Sequence, residues 1–191
     1  LDEKLAGLQP NALYVIGARP AMGKALALGT PIPTPDGWST MGDLVVGDKV
    51  LDERLVPCTV TWKSPVFVDH RCFEVVIDGG ADTIVADAEH QWLSWAPGQA
   101  DGVVRTTTDL TPGHRIPRAR ELGEPGPVLW HTVTSIRPVP SVPTQCITVD
   151  SPHHLYLAGR EMVPTHNTAF ALGMACNSAM KDRKPVLIFT L

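Results

Sequence analysis

Residues Ala18–Lys24 read ARPAMGK, and the next residue is Ala25. Seven residues of this kind, after the apolar run ALYVIG, describe a phosphate-binding loop. Its backbone N–H groups hold the anion, and a Ser or Thr directly after the lysine ligates Mg²⁺. Alanine has no ligating atom. A hydroxyl of the right kind stands at Thr168 instead. Deleting residues 25–167 joins Lys24 to Thr168 and gives ALYVIGARPAMGKTAFALGMACNSAM, which has strand, loop and helix in the order such a site requires. The first glycine of the usual pattern is replaced by Ala18, with Gly17 one residue earlier. The two ends are halves of one βαβ unit, and a 143-residue segment lies inside its phosphate loop.

The inserted segment has another texture. It is rich in Pro, Gly, Thr and Val, with strand-like pieces such as VTWKSPVFV, RCFEVVIDG, DTIVADAEHQWLSW and QCITVDSPHHLYLAG. The chain has 16 glycines and 18 prolines, which leaves little room for long helices and favours short strands with tight turns. Hydrophobic residues make up 43% and charged residues 19%, ordinary for a globular protein. A net charge of −4 announces no basic surface for nucleic acid. No apolar run is long enough for a membrane span, and no signal peptide is evident, so a cytoplasmic location is expected. The four cysteines, Cys58, Cys72, Cys146 and Cys176, form no CxxC pair and suit a reducing compartment. No metal site is expected.

The rejoined ends resemble the RecA-like α/β ATPase domain of bacterial replicative DNA helicases of the DnaB family. ARPAMGK, TAFAL and KPVLIFTL carry that likeness, over only 48 residues. It implies that the joined product binds ATP and Mg²⁺ through Gly23, Lys24 and Thr168, acts on single-stranded DNA and forms a homo-oligomeric ring. Residues 25–167 resemble an intein. ALALGTPIPTPDGWSTMGDLVVGDKVLDE, with Thr34, Asp36-Gly37-Trp38, Leu44 and Gly47-Asp48, is similar to the first splicing block. DTIVADAEHQW, CITVDSPHHLYLAG and MVPTHNT follow in the family's motif order. About 45 residues separate the two inner blocks, too few for a homing endonuclease, so a mini-intein is expected. The resemblance implies the all-β Hedgehog/intein (HINT) horseshoe fold for residues 25–167. Host flanks would occupy residues 1–24 and 168–191.

Most inteins begin with Cys or Ser, and Ala25 has no nucleophile. Cys146 stands where the family usually has Asp, Trp92 follows His90 by two residues, and Thr165 precedes His166-Asn167. This set resembles class 3 inteins. It implies that Cys146 attacks the Lys24–Ala25 bond and passes the acyl group to Thr168. Asn167 then cyclises and cuts the Asn167–Thr168 bond, and Lys24 is ligated to Thr168 with no cofactor or partner. His90 is the candidate to polarise the first bond and protonate its leaving nitrogen. Asp87 replaces the family's usual Thr and could hydrogen-bond the His90 ring or the scissile amide. His166 and either His154 or His153 are candidates for proton transfer at the second junction. Trp92 would pack the nucleophile cluster; Thr165 belongs to the same set but could be a strand residue and nothing more. His70, His114 and His131 are assigned to surface or core.

Two other readings share these residues. One is an ATP-binding P-loop module with a permanent regulatory insert; the other is Hedgehog-type cleavage without ligation. A thiol nucleophile would also stop when oxidised, with Cys72 or Cys58 as conceivable disulfide partners of Cys146.

Overall fold

A computed structural model describes residues 24–119 and 129–166. Among them there is no α-helix; one 3₁₀ turn spans Thr107–Asp109. The strands, in chain order, are β1 (Leu26–Ala27), β2 (Pro31–Thr34), β3 (Gly37–Thr40), β4 (Lys49–Leu51), β5 (Pro57–Lys63), β6 (Cys72–Ile77), β7 (Asp82–Asp87), β8 (Gln91–Ser94), β9 (Val103–Thr106), β10 (Arg115–Pro117), β11 (Trp130–Val139), β12 (Thr144–Gln145), β13 (Ile147–Val149), β14 (Leu155–Ala158) and β15 (Val163–His166). Their shortness matches the Gly and Pro content, because each breaker ends a ladder within a few residues.

A six-stranded sheet runs in the order β10-β11-β6-β7-β1-β12, and a three-stranded sheet in the order β13-β5-β4. Three hairpins complete the fold: β2-β3, β8-β9 and β14-β15. Hydrophobic alternation sets the faces. On β7, Ile84 and Ala86 point inward while Thr83 is exposed. β14 is buried along its whole length, so LYLA is a continuous apolar run. It ends at Gly159, whose φ is +78° and where an added Cβ would lie 2.2 Å from Asp82 Oδ2. Only glycine fits there, because Asp82 accepts the Glu161 N–H in the next turn. One core joins both sheets and includes Leu26, Val60, Ile84, Trp92, Ile147 and Tyr156.

The feature that positions the site is β1. It has two residues and is inserted between β7 and β12, with Leu26 opposite Ala86 on one side and Gln145 on the other. One step back along both antiparallel registers, Ala25 lies between Asp87 and Cys146. The other end of the segment leaves on β15, which packs against β8. Both ends of the inserted domain therefore run to the same place. The host-flank assignments at 1–23 and 168–191 lie outside the described residues.

Candidate active site at the Lys24–Ala25 junction

Ala25 and Cys146 are both buried and pack together, with Phe67 against them. The Asp87 backbone N–H donates to the Ala25 carbonyl at 2.9 Å. Cys146 is fixed through its backbone: its N–H donates to Ser64 Oγ at 3.1 Å, and its carbonyl accepts the Ser64 N–H at 3.0 Å. Gln145 Nε2 donates to the Ser64 carbonyl at 2.6 Å. Ser64 is a site residue that the sequence did not reveal, since its partner lies 82 positions away.

His90 is fully buried and sits in the turn between β7 and β8. Its Nδ1 lies 2.8 Å from the Lys24 carbonyl oxygen. A carbonyl only accepts, so Nδ1 carries the proton and donates to the scissile carbonyl. The ring meets Trp92 edge-on, with centroids 4.8 Å apart. Trp92 Nε1 donates to Thr107 Oγ1 at 3.0 Å, and Thr107 Oγ1 also donates to the His90 carbonyl. Trp92 and Thr107 thus hold the imidazole from behind.

Burial pushes the His90 pKa down to about 4, against the pull of the Lys24 carbonyl and the Asp87 charge. At neutral pH His90 is an uncharged N–H donor. The geometry suits the polarising part of the role expected of it, and at rest the ring carries no extra proton. Burying a neutral histidine has a stability consequence. Between pH 6.5 and about 4 the unfolded chain binds a proton that the folded chain refuses. Stability therefore falls with acid, by about 2 kcal/mol between pH 6.5 and 5 from this group. Thermal melts at pH 7 and 5 should show a lower midpoint at pH 5, and His90→Gln should reduce that difference.

Asp87 is placed differently from either expectation. Its Oδ2 accepts the His70 Nδ1–H at 2.6 Å and its Oδ1 accepts the Glu89 N–H at 2.9 Å. The carboxylate is turned to these donors, because the backbone N–H of the same residue already serves Ala25. Its charge still favours the protonated form of His90, though burial outweighs it. His70, assigned above to surface or core, is partly exposed and bonded to Asp87; His114 is a buried loop residue whose Nδ1 accepts the Thr111 N–H.

The two histidines of SPHHLYL separate. His153 is half exposed and its Nδ1–H donates to buried Glu53 at 2.5 Å, away from the junction. His154 has φ +57°, and its buried Nδ1 has no hydrogen-bond partner among the described residues. It directly precedes Leu155, which pairs with His166 at the end of β15. Thr165 is fully buried opposite Tyr156, and its hydroxyl donates to the Tyr156 carbonyl at 3.4 Å. His166 is close enough to His90 to act on it electrostatically. Asn167, Thr168 and Gly23 lie outside the described residues.

Lys24 is half-buried; desolvation lowers its pKa, and the Cys146 thiolate opposes that shift. The thiol and the ammonium therefore sense each other. The remaining described cysteines do not compete. Cys72 is opposite Asp87, which flanks Ala25, which flanks Cys146. Three inter-strand spacings are about 14 Å, far beyond the reach of a disulfide. Cys58 is pushed up to about 12 by burial and by Asp52, Asp150 and Glu53. Cys72, named above as a conceivable disulfide partner, is thereby placed out of reach; both cysteines are buried thiols. Among the described residues, the one grouping of three potential metal ligands is Asp78, His131 and Glu161. There the Asp78 carboxylate is already engaged by His131, Arg118 and the Thr132 N–H.

No protein-family model matches the chain. Two solved structures are similar along most of the described region. The crystal structure of the MchDnaB-1 intein is 44% identical with a TM-score of 0.64, covering 75% of this chain and all of that one. The Msm DnaB1 intein splicing domain bound with zinc is 43% identical with a TM-score of 0.63, covering 75% of this chain and all of that one. The replicative DNA helicase DnaB of Mycobacterium leprae is 41% identical over 199 residues, which takes in the whole chain. The chain spans about a third (32%) of that relative's length.

Proposed function

The chain belongs to the intein family, shares its all-β HINT horseshoe and is a protein-splicing element; from that premise we propose that it splices by the class 3 route, with Cys146 as its first nucleophile. One observation carries this reading. The Lys24 carbonyl rests on His90 Nδ1 while Ala25 packs against Cys146, so donor and thiol flank one peptide bond.

In the first step Cys146 Sγ bonds to the Lys24 carbonyl carbon and the Lys24–Ala25 C–N bond breaks. The thiol's proton ends on the Ala25 nitrogen. The His90 N–H meets the charge that develops on the Lys24 oxygen, and the nearby Lys24 ammonium favours thiolate. The Thr168 hydroxyl then displaces the sulfur, which regains a proton, and leaves an oxygen ester. Next the Asn167 side-chain amide attacks its own carbonyl carbon, closes a succinimide and releases the Thr168 amine. His154 and His166 are the groups that move protons there. Finally the amine attacks the neighbouring ester, and Lys24 is joined to Thr168.

The product reads GARPAMGKTAFAL, which restores the phosphate loop of a replicative helicase. In this reading residues 1–24 and 168–191 are host segments. The helicase binds ATP and Mg²⁺ there, acts on single-stranded DNA as a ring, and works in the cytoplasm; splicing itself needs no partner or cofactor. Among the described residues no helix is long and apolar enough to cross a membrane.

Incubating the full chain and weighing the products tests the reading. A free 143-residue insert beside one joined 48-residue peptide is expected. Two unjoined flanks would indicate cleavage without ligation. Unchanged mass together with ATP binding would indicate a permanent insert.

A further inference from the structure

The class 3 reading assigns no task to His70, which lies in the loop between β5 and β6. Its contacts reach the first junction from two sides. On one side Nδ1–H donates to Asp87 Oδ2 at 2.6 Å. The backbone N–H of the same aspartate holds the Ala25 carbonyl at 2.9 Å. On the other side the His70 ring stacks on Phe67, with centroids 5.1 Å apart and planes 15° from parallel. Phe67 in turn packs on Ala25 and Cys146. The segment is pinned at both ends. Phe67 and Thr144 exchange backbone hydrogen bonds, and the His70 carbonyl accepts from the Cys72 thiol at 3.5 Å.

We propose that His70 is a positioning residue for cleavage of the Lys24–Ala25 bond, acting through Asp87 and Phe67. The Asp87 carboxylate is 4% exposed while the His70 side chain is 31% exposed. A carboxylate this deep stays charged only while donors hold it. Glu89 N–H serves one oxygen and His70 the other. Without His70, Oδ2 loses the one side-chain donor it has among the described residues. Asp87 would then turn toward another donor, and its backbone would carry the Ala25 carbonyl with it. His70 touches no reacting atom; it keeps the thiol, the junction and the Asp87 charge in register.

The inference rests on the class 3 reading, and the test separates the two. Rates of first-junction cleavage and of Asn167–Thr168 cleavage are measured separately, the latter with Cys146 replaced. His70→Leu is expected to slow the first by tenfold or more, about what removing a charge-assisted hydrogen bond does, and to leave the second within twofold. His70→Asn places an amide N–H where Nδ1–H stood and is expected to restore most of the rate. Asp87→Asn is expected to slow the first step to a similar degree, with no further loss in the double variant. If His70→Leu slows both junctions alike, or neither, the inference is overturned. If Cys146→Ala still cleaves the first junction, the class 3 reading fails instead. Thermal midpoints of each variant keep a folding defect apart from a loss of rate.

Discussion

Cys146→Ala should leave the Lys24–Ala25 bond intact, with no ligated product detectable by mass after incubation that converts the parent chain. The expectation follows from what else could attack. Ala25 offers a methyl group. Cys72 is two strands away from Ala25, and Cys58 is held as a thiol by burial among acidic side chains. Ser64 points its oxygen at the Cys146 backbone N–H and donates to the Pro65 carbonyl, so it is committed to holding the nucleophile. A free thiol is a few per cent ionised at neutral pH, and the half-buried Lys24 ammonium lies close enough to Cys146 for the two to interact electrostatically. Removing that sulfur should therefore cost more than a thousandfold in first-junction cleavage, since no positioned group replaces it. Cys146→Ser should retain a trace, because a hydroxyl stands in the same place but is almost wholly protonated. Cleavage at Asn167–Thr168 should continue in both variants and release the second flank unjoined. Splicing that survives Cys146→Ala would move the first attack to Thr168.

The class 3 reading draws on what is written locally in the sequence. The broken loop at Lys24, the hydroxyl at Thr168 and the set Trp92, Cys146 and Thr165 could each be read from short motifs. The all-β class followed from Pro, Gly and strand-like pieces. What the sequence hid are partnerships across the sheet. Ser64 and Cys146 are 82 positions apart, and His70 meets Asp87 only because the loop before β6 folds over the end of β7. DTIVADAEHQWLSW also reads as one strand, yet residues 88–90 turn between β7 and β8. That turn frees the His90 ring to reach Lys24, which a strand position would have aimed along the pleat. The choice between His153 and His154 depended on Glu53, 100 positions away, and on a left-handed φ at His154. Neither leaves a mark in SPHHLYL.

His90→Ala should slow first-junction cleavage by about a hundred- to a thousandfold, the usual loss when an oxyanion donor is removed. The geometry makes this a transition-state effect. Nδ1–H already touches the Lys24 oxygen at 2.8 Å, and that oxygen gains charge only when sulfur adds to its carbon. His90 is fully buried, so the donor it supplies is not readily replaced by solvent. His90→Asn, which can keep an N–H near the Nδ1 position, should lose less. The pH profile tells donor from acid. A histidine pushed down to about 4 is neutral through the whole working range. An acid role would make the first step faster as pH falls through 6.5 toward 5. A donor role predicts the opposite: the rate should rise with pH as Cys146 ionises, with no limb from His90 above pH 5. Single-turnover rates of first-junction cleavage between pH 5 and 8.5 decide between them. A rate that instead climbs toward pH 5 and collapses in His90→Ala would show that the buried ring picks up a proton during the reaction. Asp87, the carboxylate whose charge steadies that state, would then be the residue to replace next.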